Sequence, residues 1–191
     1  MANTVDFMMC EIYPENRSHF SRVFRGREVD FPAEIVYGLV ANRWLINQTG
    51  GRIGLIGASQ KLDIIQELLT HNQYRDYLGI DGFADYIPIP QKYAADSPES
   101  LSKVIGAQVE ATSANLFLMG VGHVKSWLIP AISRYREAVY LDVGSGIDAL
   151  AGVIDSKRPY FGDWKNFRLP SAERYSGIDY LQFNNENIVQ L

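Results

Sequence analysis

The chain has 191 residues, with 18 lysines and arginines against 22 aspartates and glutamates for a net charge of −4, which fits one globular domain and lacks the basic field that draws in a nucleic-acid backbone. At 47% hydrophobic and 12% aromatic residues, a chain of this size buries about 70% of its unfolded surface, enough for a core without disulfides or a structural metal. Its one cysteine, Cys10, excludes an internal disulfide framework and a zinc site of paired thiolates, and no run approaches the length of a membrane span.

Cys10 follows the hydrophobic run Phe7-Met8-Met9 with no histidine beside it, so it reads as a packing residue in a reducing, cytoplasmic setting. The first residues carry no positive n-region, so no secretion signal is expected. Residues 1–32 mix arginines with scattered aromatics and show no period, which reads as an irregular lead-in to a βαβ core over 33–152. From Pro32, Ile35, Val36, Leu39, Val40 and Leu45 recur at helical spacing until the Asn47–Gly51 cluster stops the pattern.

Short apolar runs then alternate with helical patterns, the signature of consecutive βαβ units. Ile53–Ile56 is the first strand, turning at Gly57-Ala58-Ser59 into a helix with Leu62, Ile65, Leu68 and Leu69 on one face, broken at His71-Asn72-Gln73. Asp85–Pro90 is a second strand, and Pro88, which has no N–H to donate, marks it as short or at an edge. Ser97-Pro98 supplies an N-cap and a proline at the first helical position, ahead of Leu101, Val104, Ile105 and Val109.

Asn115–Met119 is a third strand, running through Gly120-Val121-Gly122 into a helix whose Val124, Trp127, Leu128, Ala131, Ile132 and Tyr135 form one stripe, kinked at Pro130. Ala138–Asp142 is a fourth strand, closed by Val143-Gly144-Ser145-Gly146. Residues 153–191 read as an aromatic and polar surface segment with a short strand around Ile178–Phe183. The expected architecture is a single α/β domain with a Rossmann-like, open and mostly parallel sheet and helices on both faces.

In such sheets ligands lie outside the carboxyl ends of the strands, where glycine turns expose N–H groups and helix N-termini favour anions. Three turns qualify: Gly57 with Ser59, Gly120 with Gly122, and Gly144-Ser145-Gly146. Each glycine is equally explained by a tight strand-to-helix turn at positive φ; three at one edge would make a cradle for a phosphate-bearing ligand. His123 and Lys125 follow the second turn, where they could face a diphosphate or move a proton, although a solvated histidine is as common there. Asp142 and Asp148 flank the third turn, as candidate bases or as caps of its N–H groups. Arg158, Asp163, Trp164, Asn166 and Arg168 belong to a tract mixing aromatic faces with cations and hydrogen-bonding groups, suited to a sugar or nucleotide pocket, or to a packing strap across the sheet edge.

Val139–Gly146 resembles the first motif of S-adenosylmethionine-dependent methyltransferases, a strand leading to D-x-G-x-G, but too few residues follow Gly146 for the rest of that sheet unless the order is permuted. Over a longer span, Arg52–Gly57, Ile87–Pro90, Leu116–Gly122 and Tyr140–Gly144 resemble in order and spacing the GT-D type glycosyltransferases of bacterial glycan assembly. That resemblance implies a Rossmann-like sheet that transfers sugar from a nucleotide sugar to a glycan acceptor, with Asp142, Asp148 and His123 as catalytic candidates. The family carries a D-x-E motif tied to metal and donor binding, and this chain has no D-x-E or D-x-D. A divalent metal is therefore in doubt, no metal ligand is assigned, and the leaving diphosphate would fall to His123, Lys125, Arg158, Arg168 or helix N-termini. The same departure admits a non-catalytic carbohydrate- or protein-binding module, and the partners can include a second copy or the rest of a longer enzyme.

Overall fold

A computed structural model describes residues 8–9, 22, 28–29, 38, 40, 43–90, 98–153, 167–178 and 189–190. Four parallel strands form its central sheet: β1 (Ile53–Ala58), β2 (Asp85–Ile89), β3 (Leu116–Gly120) and β4 (Val139–Asp142), side by side in the order β2-β1-β3-β4. The α-helices whose bounds fall among the described residues are α1 (Trp44–Thr49), α2 (Ser59–Leu68), α3 (Asn72–Leu78), α4 (Pro98–Ala111), α5 (Lys125–Ile132) and α6 (Gly146–Leu150). The expected Rossmann-like α/β architecture is what the chain adopts.

The strand order decides which face each helix covers. From β1 the chain steps one way to β2, then returns past β1 to β3 and continues to β4. Since parallel crossovers are right-handed, reversing the step moves the helix to the other face. Accordingly α2 packs on one side, with Ile53, Leu55 and Leu118 beneath Leu62, Ile65 and Leu68, while α4 and α5 pack on the other, with Ile56, Ile87, Phe117 and Met119 beneath Ile105, Val109, Leu128 and Ile132. The register confirms the alternation: Leu55 is paired with Tyr86 and Leu118, and Ile56 with Ile87 and Met119. Strands buried on both faces need continuous apolar runs, and β1 is buried along its whole length.

Several elements differ from expectation. Gly57, Ala58 and Gly120 are strand residues rather than turn residues, and α2 starts directly at Ser59. Helical Gly38 and Val40 are separated from α1 by Arg43, whose φ of 61° interrupts the single helix read across this region. The polar break at residues 71–73 instead opens α3, which buries Tyr74 and Leu78 one turn apart and ends at Gly79 (φ 71°), whose N–H donates to Arg75 O. Val104 is exposed, because the apolar row of α4 that reaches the sheet is Ile105 and Val109. Helix α5 ends at Ile132, two residues past Pro130. Its apolar stripe divides: Val124, Leu128 and Ile132 enter the core, while Trp127 and Tyr135 stay partly exposed. Pro88 lies on the edge strand, as its missing N–H requires.

Phe167–Arg168 pairs with Val189–Gln190 as a separate parallel ribbon, and Met8–Met9 pairs with Glu28–Val29. The strand read around Ile178–Phe183 lies outside the described residues except for Ile178, which is not in a strand, and Cys10 lies outside them as well. Among the described residues no helix is long and apolar enough to cross a membrane.

Tyr74, Tyr86, Tyr140 and Tyr175 hold their phenols above the ordinary value of 10.0, each chiefly through burial, and Tyr140 is pushed up to about 12. Above pH 10 the unfolded chain releases these protons while the folded chain retains them, so their contribution is complete below pH 10 and is lost as pH rises through the raised folded values, about 12 for Tyr140. The urea midpoint, followed by circular dichroism, is expected to fall across that window. Tyr140→Phe should flatten part of the fall, and an unchanged slope would count against this origin.

Candidate functional site

All four strands are parallel, so their carboxyl ends share one rim. Gly57 of β1 is paired with Gly120 of β3, and Met119 of β3 with Asp142 of β4. The third turn folds back onto the second: the Val143 and Gly144 N–H groups both donate to Met119 O, at 2.9 and 3.2 Å. The three glycine-bearing segments, far apart in sequence, therefore lie side by side. The reversal of strand order falls between β1 and β3, the position at which open α/β sheets form a crevice.

The glycines of this rim serve different ends. Gly122 (φ 59°) and Gly144 (φ 46°) occupy the left-handed region, as a tight turn requires. Gly57, Gly120 and Gly146 do not, and their missing β carbons are used by neighbours. A β carbon on Gly57 would come 3.2 Å from Ile147 Cγ2, and one on Gly120 would come 2.7 Å from Ile147 Cγ1 and 2.9 Å from Gly144 O. Ile147 of α6 thus sits over the adjacent ends of β1 and β3. Gly146 in turn makes room for Val40 and Val143, each at 3.0 Å from the built position. Gly120→Ala is expected to cost about 1–3 kcal/mol by overpacking. Urea denaturation of a double-mutant cycle with Ile147→Ala should recover part of that cost, and strict additivity would show that Ile147 is not the obstacle.

Two lysine–aspartate pairs flank the turns. Lys125, the first residue of α5, pairs with Asp142 Oδ2, while Asp142 Oδ1 accepts the Gly144 N–H at 3.2 Å. Lys61, in the first turn of α2, pairs with Asp148 of α6. The second pair is the more enclosed, its side chains 17% and 21% exposed against 40% and 26% for Lys125 and Asp142. The Lys61–Asp148 pair ties α2 to α6. The Lys125–Asp142 pair is more open to solvent, chiefly at Lys125, and is the weaker of the two for that reason.

Ser59 opens α2 on the exposed side, and Ala58 before it supplies no side-chain cap to that helix. Its first-turn N–H groups are the kind that anions satisfy. Gln60 donates to Arg174 O at 3.0 Å and to Ser176 O at 2.6 Å, which brings the 3-10 turn Ala172–Tyr175 against the start of α2. His123 lies in the 3-10 turn Gly122–Val124 leading into α5, and its side chain is outside the described set. Ser145 precedes α6 and its carbonyl accepts the Ala149 N–H.

Of the aromatic tract, Arg158, Asp163, Trp164 and Asn166 lie outside the described residues. Arg168 is described: its guanidinium lies over the Tyr175 ring, 4.1 Å from the centroid, a packing contact. Phe167 beside it is buried against Tyr74 and Tyr77, with centroids at 5.5 and 4.9 Å. Among the described residues, no three His, Cys, Asp or Glu side chains gather as a metal site would need.

Lys61 is the rim residue that sequence reasoning passed over. Its signal was its place two residues after Ser59, in the first turn of a helix that follows a glycine-ended strand. Together the rim offers two cations, two carboxylates and the uncapped start of α2, a set able to hold an anion and to take a proton from a hydroxyl. Compared with protein-family models, curated proteins and solved structures, the chain matches none.

Proposed function

We propose that this chain is a nucleotide-sugar-dependent glycosyltransferase of glycan assembly, with the donor diphosphate at the carboxyl edge of β1 and β3 and Asp142 as the acceptor's base. One observation carries the reading: the strand order reverses between β1 and β3, and Lys61, Lys125, Asp142 and Asp148 stand around that same rim. The resemblance to GT-D type enzymes over residues 43 to about 168 supports it from the sequence side.

In this mechanism the diphosphate lies at the start of α2 and draws Lys125 away from Asp142. The freed carboxylate accepts the proton of the acceptor hydroxyl as its oxygen bonds to the anomeric carbon. The bond from that carbon to the diphosphate oxygen breaks, and Lys61 and Lys125 stabilise the charge on the leaving nucleoside diphosphate. Asp148, in the more enclosed pair, is a weaker candidate for the base.

A second reading, a carbohydrate- or protein-binding module without catalysis, is favoured by Ile147, which occupies the space above Gly57 and Gly120 where a ligand would otherwise approach the backbone. The methyltransferase alternative fits less well, because β4 stands at the sheet edge and no described strand pairs with its outer side.

Thermal-shift measurements with UDP-, GDP- and dTDP-sugars and with S-adenosylmethionine separate the readings. A ligand at a hundredfold excess over Kd adds about 2.7 kcal/mol, or roughly 5–10 °C in a chain of this length. A response to one nucleotide sugar supports the transferase. A response to S-adenosylmethionine alone moves the assignment to a methyltransferase, and silence across the panel favours the module.

A further inference from the structure

A groove of about 350 Å³ runs between α4 and α5, lined by Glu99 and Lys103 on one wall and by Trp127, Ala131, Arg134 and Tyr135 on the other. It lies outside the rim chemistry but starts beside it, since Trp127 is two residues beyond Lys125 and Glu99 is in the first turn of α4. Trp127 and Ala131 are one helical turn apart on a single face, and the small Ala131 leaves a floor between the two aromatic side chains. Trp127 is 38% exposed and Tyr135 39%. Tyr135 is braced against α4, where a β carbon on Gly106 would lie 2.5 Å from its ring. A braced aromatic loses little conformational freedom when a ligand stacks on it.

The charges of the groove are complementary to an anion. Lys103 lines the cavity from α4 and Arg134 from the turn that follows α5, and among the described residues neither forms an ion pair. Glu99, one turn from Lys103, forms none either. Lys103 and Arg134 against Glu99 leave the groove with one net positive charge, which favours an anionic ligand. Aromatic faces flanked by cations match a sugar chain that carries carboxylates or phosphates, because sugar C–H faces stack on the rings while the acidic groups reach Lys103 and Arg134.

We propose that the groove between α4 and α5 binds an acidic glycan, a subsite for the acceptor chain extending away from the rim. The word acceptor rests on the transferase reading above; the binding itself does not.

The test is tryptophan fluorescence titration of the full chain, without donor, using hexamers of oligogalacturonate, hyaluronan and heparin, with maltohexaose and cellohexaose as neutral controls. At least one acidic hexamer is expected to shift the emission, with affinity falling as salt rises. Trp127→Ala should abolish the fluorescence change. Lys103→Gln/Arg134→Gln should weaken the same binding about tenfold or more by calorimetry, while any nucleotide-sugar thermal shift stays unchanged. The inference is overturned if no acidic hexamer binds at millimolar concentration, if neutral hexamers bind as tightly, or if the Lys103/Arg134 variant keeps its affinity. A chain that binds acidic hexamers but no nucleotide sugar keeps this inference and loses the transferase, and the converse result separates them in the other direction.

Discussion

Asp142→Asn is expected to leave the fold intact and to slow sugar transfer by about 10²–10⁴-fold, the usual worth of a positioned general base. Asparagine preserves the shape of the side chain and can still accept the Gly144 N–H through Oδ1. It removes only the attraction to Lys125, which at this exposure is worth about 0–1 kcal/mol. Donor binding should hold steady or tighten, because Lys125 no longer has a carboxylate to leave. Transfer rates and donor affinity measured side by side check this, with Asp148→Asn as the comparison. A loss of less than about tenfold for Asp142→Asn, with a larger one for Asp148→Asn, would move the base to α6.

Phe117→Ala is expected to cost about 3–5 kcal/mol, a large part of the roughly 5–15 kcal/mol that holds a domain of this kind folded. Phe117 is fully buried in β3 and stacks on Tyr140 of β4, centroids 5.1 Å apart and planes 9° from parallel. It also fills the space above Gly54 of β1, where a β carbon would come 2.7 Å from the ring. One ring therefore joins three strands. Guanidinium denaturation is the check; a loss of about 1 kcal/mol or less would mean that the site collapses around the deletion.

The sheet was legible because a strand buried on both faces must be apolar throughout, a pattern that helices around it do not share. Ile53–Ile56 and Leu116–Met119 carry that pattern without interruption. The convergence of the glycine turns was legible for the same reason, since parallel strands put all their carboxyl ends on one side. The roles of the individual glycines were not. Local sequence presents Gly57 and Gly120 as turn formers, and only the placement of Ile147, far along the chain, shows that they are strand residues kept small for packing. Helix α3 was hidden by its polar exterior, because Tyr74 and Leu78 are too few to establish a period, although Gly79 marked its end. In the sequence the stripe of α5 reads as one face, whereas the sheet has room for one row of it. The second row, Trp127 through Ala131 to Tyr135, became the wall of a groove.

Whether the rim between β1 and β3 holds a phosphate-bearing ligand is tested most directly by amide chemical-shift mapping of the ¹⁵N-labelled chain during a UDP, GDP and dTDP titration. The expected result is saturable shifts, with at least one of the three nucleotides, confined to Ser59–Lys61, Gly122–Lys125 and Gly144–Gly146. Saturable shifts elsewhere with the rim unmoved, or none for any nucleotide at millimolar concentration, would contradict it.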